Sequence, residues 1–136
     1  MSVLLWVLLA LVLLPYLARI PTIRGQIALG GYDYHNPRAQ QARLAGLAQR
    51  ANAAHQNSFE ALQLYLAAVA ACGFSGLSDG WMQLMALGFL LCRVAFILLY
   101  WLDSAYLRST VWVIGTLLIL TMIIRAALSL NSALPV

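Results

Sequence analysis

The sequence predicts an all-α fold, a single domain of four transmembrane helices packed as a bundle. Two observations carry that prediction. The chain of 136 residues is 63% hydrophobic and only 9% charged, too little polar surface to cover a soluble globule. Its charge-free runs also have membrane length. Met1–Ala18, Ala61–Ser78 and Ser109–Ile124 hold no charged side chain, and Gly80–Leu102 holds only Arg93. Each approaches the ~20 residues that cross ~30 Å of hydrocarbon at about 1.5 Å per residue.

Helix one is expected over about residues 3–19, with Pro15 bending its end and Pro21 opposing a straight continuation. Val3–Leu14 has the length of a signal-peptide core. It lacks a preceding basic residue and a following small-x-small site, so a retained helix is expected. Gly30-Gly31 marks a turn; Asn36 then offers a cap and Pro37 suits the first helical position. An Ala-, Gln- and Arg-rich run predicts helix two over 37–72, unbroken and long enough to project beyond the bilayer. Gly73-Phe-Ser-Gly76 closes it, and Ser78-Asp79 caps helix three over 80–101. Helix four is expected over 110–130.

Charge placement predicts orientation. Every one of the 8 Lys+Arg positions is arginine. The first linker carries Arg19, Arg24, Arg38, Arg43 and Arg50, the third carries Arg108, and Gly73–Gly80 carries none. The positive-inside bias then puts linkers one and three in the cytoplasm and both termini on the far side. The net charge of +4 does not argue for nucleic acid, because the arginines are spread over linkers and spans. No metal is expected either. Cys72 and Cys92 read as buried thiols, and Asp33 and His35 as turn and cap residues. Arg125, late in helix four, snorkels to the far interface or faces another helix.

The chemistry concentrates where helix two enters the membrane. Arg50, Ala53, Asn57, Glu60 and Leu64 share one helical face. A carboxylate in hydrocarbon costs about 2.5–3.5 kcal/mol on insertion scales, so Glu60 requires a polar partner or a ligand. Arg93 on helix three lies too deep for an interface anchor, and Tyr100 follows it two turns later on nearly the same face. A buried Arg93–Glu60 pair that fixes packing is the structural alternative to a ligand pocket. Arg108 and Ser109 fall at or just before helix four, where a guanidinium and free backbone N–H groups favour a thiolate. A topology-setting role is the alternative for Arg108. Trp101, Tyr106 and Trp112 read as an aromatic belt.

Ala54-His55-Gln56-Asn57-x-x-Glu60, then Arg93-Val-Ala-x-x-x-x-Tyr100, then Arg108-Ser109 together resemble the MAPEG family, the membrane-associated proteins in eicosanoid and glutathione metabolism. Asn36-Pro37-Arg38-Ala39 with Ala-His-Gln-Asn-Ser-Phe-Glu resembles its bacterial branch, which implies a bacterial inner membrane. The resemblance implies a homotrimer of four-helix subunits with glutathione in clefts between neighbours. It assigns glutathione contacts to His55, Asn57, Glu60, Arg93 and Tyr100, with Glu60 on the amino group, and thiol activation to Arg108 and Ser109. An arginine late in helix one, Arg19 or Arg24 here, reaches a glutathione carboxylate. The chain departs from the pattern at Ala53, where the enzymes usually carry arginine. Arg50, one turn earlier, stands as its substitute, and Gln56 replaces an arginine of some members.

The expected function is a glutathione transferase or peroxidase, with glutathione as co-substrate and a lipophilic electrophile or hydroperoxide approaching along helices one and four. A non-catalytic lipid-binding or assembly protein of the same fold is the alternative. A transport or channel subunit is disfavoured because no helix reads as a repeated polar stripe.

Overall fold

The computed structural model describes residues 1–133. It is helical throughout its regular structure: α1 Ser2–Ala18, α2 Ile20–Ala28, α3 Pro37–Ala42, α4 Gly46–Ser75, α5 Gly80–Trp101 and α6 Ala105–Ala133. Four helical stretches are long and apolar enough to cross a membrane: Ser2–Ala28, Gly46–Ser75, Gly80–Trp101 and Ala105–Ser132.

The first span outruns its expected end at residue 19. Pro21 lacks the N–H that would continue the ladder, and the chain steps at Arg19 before resuming as α2. Helix two is broken rather than continuous. Ala45 is extended, Gly46 turns with φ +57°, and α4 begins there. Only glycine adopts that left-handed conformation without a Cβ penalty. The break tucks Leu44 beneath α2, where Gly25 leaves no room for a side chain against Ala48 and Leu44. The Thr22 hydroxyl reaches the Ala48 carbonyl at 3.5 Å in the same contact.

At the other end of α4, Gly76 takes the left-handed cap position with φ +66°. Asp79 then caps α5 by accepting from the Met82 N–H at 2.9 Å. That backbone bond, followed by Arg125, holds the Asp79 carboxyl below the usual carboxylate range.

Helix α4 is central: it packs on α1, α2, α5 and α6, whereas α1 and α6 flank it and both meet α5. Small residues make the close approach possible, with Ala51, Ala54, Ala61 and Ala68 of α4 buried. Tyr65 is fully buried, donates to the Leu4 carbonyl at 3.0 Å and stacks on Phe89 with centroids 5.7 Å apart. Trp101 donates its indole N–H to the Ala18 carbonyl at 3.3 Å, tying α5 to the end of α1. Trp101 therefore does more than mark the interface, while Tyr106 is 92% exposed, as a belt residue would be.

Candidate functional site

The expected residues divide between two faces of α4. On one face, Asn57 and Glu60 line a cavity of about 70 Å³ with Arg93 of α5 and Trp112 and Thr116 of α6. Arg93 is buried to 4% exposure, yet no carboxylate lies within 4.0 Å of it among the described residues. Its guanidinium lies 4.2 Å from the Phe96 ring centroid and donates to the Asn57 carbonyl at 3.3 Å, while its Nε has no partner. The direct Arg93–Glu60 pair is thus not formed. Glu60 shares the cavity but stays exposed on the outer surface of the bundle.

A ladder of cations and rings follows along α5. Phe96 meets Tyr100 edge to face at 5.1 Å, and the Arg108 guanidinium sits 4.1 Å from the Tyr100 centroid. Cation–π contacts of this kind hold a guanidinium in place without neutralising its charge. Arg108 lies one turn inside α6, because that helix starts at Ala105 rather than at residue 110. Its own backbone N–H is already given to Ser104, so the free N–H groups belong to the turn before it. The helix-end argument for a thiolate therefore applies to that preceding turn, and Arg108 contributes through its side chain. The exposed Ser109 returns its hydroxyl to the Ala105 carbonyl at 3.0 Å.

Arg50 has a different occupation. It donates to the carbonyls of Tyr100 at 3.1 Å and Trp101 at 3.3 Å, and pairs with Asp103 at 3.2 Å. These are terminal carbonyls of α5, the negative end of its dipole. Asp103, at φ +61°, and Ser104 complete a Schellman cap through N–H bonds to Tyr100 and Leu99. Arg50 fastens the Tyr100 end of α5 and has no guanidinium free to replace an arginine at Ala53.

His55 lies on the other face of α4. Its Nδ1 is 2.7 Å from the Pro15 carbonyl, and its ring meets Phe59 edge to face. It lines a separate polar cavity of about 450 Å³ with Arg19, Tyr32, Arg38, Gln41 and Gln56. Of the two helix-one candidates, Arg19 faces that cavity and Arg24 is exposed elsewhere. The sequence reading missed Arg38, Gln41 and Tyr32. Only the fold of the first linker carries them to His55, so no local pattern announced them. It also missed a polar stripe, since Gln49, Gln56, Glu60 and Gln63 are all exposed on α4. Their spacings of seven, four and three are helical, but intervening alanines masked them.

The MAPEG family model matches residues 3–128. The protein belongs to the MAPEG family. Comparison with curated proteins and with solved structures gives no match. MAPEG proteins are membrane-associated and generally use glutathione, and the family includes both transferases or peroxidases and non-catalytic members. For this MAPEG protein the donor set fits glutathione in kind. Glu60 suits an ammonium, Arg108 a thiolate, and the orphaned Arg93 Nε offers a donor beside both Asn57 and Glu60.

Proposed function

We propose that this protein is a glutathione-dependent membrane enzyme that conjugates or reduces lipophilic electrophiles or hydroperoxides as a homotrimer. The observation that carries the reading is the ladder from Arg93, which shares a cavity with the exposed carboxylate Glu60, through Phe96 and Tyr100 to Arg108. A lone subunit leaves Glu60 and Gln63 exposed on the outside of α4, an expensive exposure in hydrocarbon that neighbouring subunits and a ligand remove. It also leaves His55 on the wrong side of α4 to reach a ligand at Glu60. Packing the His55 face of one subunit against the Glu60 face of the next completes the site.

In this reading Glu60 accepts the glutathione ammonium, and Arg93 and Asn57 orient the peptide. Tyr100 presents Arg108 to the sulfur, with Ser109 one residue on; Arg50 supports Tyr100 from behind. Charge on Arg108 lowers the thiol's pKa and enlarges the thiolate fraction. The sulfur then bonds to the electrophilic carbon, and the leaving group departs with its electron pair. With a hydroperoxide, two glutathiones become a disulfide while the peroxide is reduced to alcohol and water. A lipophilic substrate entering between α1 and α6 must use two subunits, because in one chain α4 and α5 separate those helices.

The arginine-rich end faces the cytoplasm in this assignment, in the inner membrane of a bacterial cell. Calorimetry with glutathione in mild detergent, followed by turnover of a nitro-activated aryl chloride, tests the proposal. Saturable binding with turnover is the expected result; binding of neither glutathione nor its S-alkyl conjugates sinks it.

One observation favours the lipid-binding alternative. A wholly apolar groove of about 450 Å³ runs between α1 and α5, lined by Leu13, Leu17, Leu91, Val94, Leu98 and Trp101 among others. Retention of phospholipid with no glutathione binding is the outcome expected of that alternative.

A further inference from the structure

Asp79 and Arg125 are isolated charges that the fold brings together. Residues 61–92 hold no charged side chain besides Asp79, and residues 109–136 none besides Arg125. The Arg125 guanidinium nevertheless reaches both oxygens of the Asp79 carboxylate, at 2.9 and 3.5 Å. We propose that this pair, with the groove beside it, binds one bilayer phosphatidylethanolamine, its phosphate on Arg125 and its ammonium on Asp79.

The depth is right for a headgroup. Trp81 and Trp101 stand at the two ends of α5, about 30 Å apart at about 1.5 Å per residue, which is the thickness of the hydrocarbon. Trp81, 67% exposed, therefore lies at the interface, with Asp79 just before it. A cavity of about 350 Å³ opens there between α5 and α6, lined by Trp81, Met85, Thr121 and Arg125. Its wall beside the charge suits an acyl chain. Met85 is apolar, and Thr121 gives its hydroxyl to the Leu117 carbonyl at 2.8 Å, so it makes no polar demand on an occupant. Among the described residues none from α4 lines this cavity, whereas both cavities of the glutathione reading draw on α4. A lipid here does not compete with a subunit contact made through the His55 and Glu60 faces.

Charge selects the headgroup. Asp79 balances Arg125, so the pair is neutral and offers an anionic lipid no net attraction. A zwitterion meets both signs. A guanidinium carries more N–H groups than Asp79 engages, and the others suit phosphate oxygens. The Asp79 side chain, 40% exposed, accepts from the Met82 N–H and from Arg125 and keeps lone pairs for an ammonium. A primary ammonium can donate to it, whereas a quaternary choline has no N–H to give. Because Asp79 already covers the start of α5, the phosphate falls to Arg125 rather than to the helix end.

The test titrates the delipidated full chain in mild detergent with phosphatidylethanolamine, phosphatidylcholine and phosphatidylglycerol of identical acyl chains, read by native mass spectrometry. A charge-assisted contact is worth about tenfold in binding, so phosphatidylethanolamine is expected to bind about tenfold tighter than either of the others. Asp79→Asn keeps a capping side chain and should bring phosphatidylethanolamine down to the level of phosphatidylcholine. Arg125→Ala should weaken both zwitterionic lipids about tenfold. Thr121→Trp fills the groove and leaves the ion pair in place, so it decides the matter if Arg125→Ala does not fold; it should abolish the preference. Arg24→Ala, an exposed arginine of α2, should change nothing. Equal binding of the three lipids overturns the proposal. An undiminished preference in Asp79→Asn or Thr121→Trp does the same, by putting the lipid elsewhere. Tightest binding of phosphatidylglycerol, lost in Arg125→Ala, would make the site one for anionic lipid and refute the zwitterion.

Discussion

Helix α5 is stapled at both ends by an arginine and an aspartate, and the two staples differ in what surrounds them. At one end Asp79 caps α5 and takes Arg125 of α6 at 2.9 Å. At the other, Arg50 of α4 covers the last carbonyls of α5 and pairs with Asp103 at 3.2 Å. The first staple is self-contained, and its arginine is matched. Around the second lie Arg19, Arg38 and Arg108, with Arg93 deeper in the span, and none has a carboxylate within 4.0 Å among the described residues. A fold needing arginine only for structure would pair it as Arg125 is paired. In the glutathione reading, the unpaired arginines at this end receive an anionic ligand, and the buried Arg93 gains most from it.

Breaking the comparison at its strongest point means removing Arg108. A charge-assisted contact acting mainly in the transition state is worth about 1.5–3 kcal/mol, so Arg108→Ala should lower kcat about 10- to 150-fold and raise the apparent pKa of the bound thiol. Arg125→Ala should leave both unchanged. Thiolate absorbance against pH, read with turnover, decides; equal behaviour of the two variants would reduce Arg108 to an interface anchor.

Glu60→Gln should act on KM instead. The ammonium contact is shared by ground and transition states, so the glutathione KM is expected to rise about tenfold with kcat nearly kept. A fall in kcat at constant KM would move Glu60 from binding to chemistry.

The staple itself predicts stability. Arg50→Ala strips α5 of its C-terminal donors and should cost about 1–2 kcal/mol, partial exposure of the pair limiting the loss. Asp103→Gly should change stability by less than about 1 kcal/mol, since relief of the left-handed backbone offsets the lost pair. Denaturation in mixed micelles measures both. A larger loss for Asp103→Gly than for Arg50→Ala would mean that the ion pair, not the carbonyl cap, holds this end.

The smallest effect belongs to Asp79. Its carboxyl is held low by the Met82 N–H and then Arg125, so the ionised form favours the fold. That contribution is present above the unfolded carboxylate value of about 3.9 and disappears as pH falls through the lower folded value. Melting in nonionic detergent should therefore lose an acid-range component in Asp79→Asn. Identical acid limbs for the two proteins would show the cap to be silent.

The bundle was legible because hydrocarbon imposes length and composition on every span, and four apolar stretches satisfy both. The Asp79 cap and Gly76 turn were legible for a similar reason, since each obeys local backbone chemistry. Asn57, Glu60, Arg93, Tyr100 and Arg108 stood out as polar groups in or beside apolar spans. Tertiary packing decided what those groups touch. Helix propensity favoured an unbroken run from residue 37, but burial of Leu44 against Gly25 and the left-handed Gly46 ended it. Spacing alone put Arg50 with Asn57 and Glu60, yet the end of α5 claims its guanidinium. The two faces of α4, and the arrival of Arg38 beside His55, depend on contacts between residues distant in the chain. The sequence by itself determined which segments are helical and membrane-long, because those are local balances of burial and hydrogen bonding. Which cation meets which carbonyl, ring or cavity was settled only by long-range packing, because a side chain's partner is chosen by geometry that no local spacing encodes.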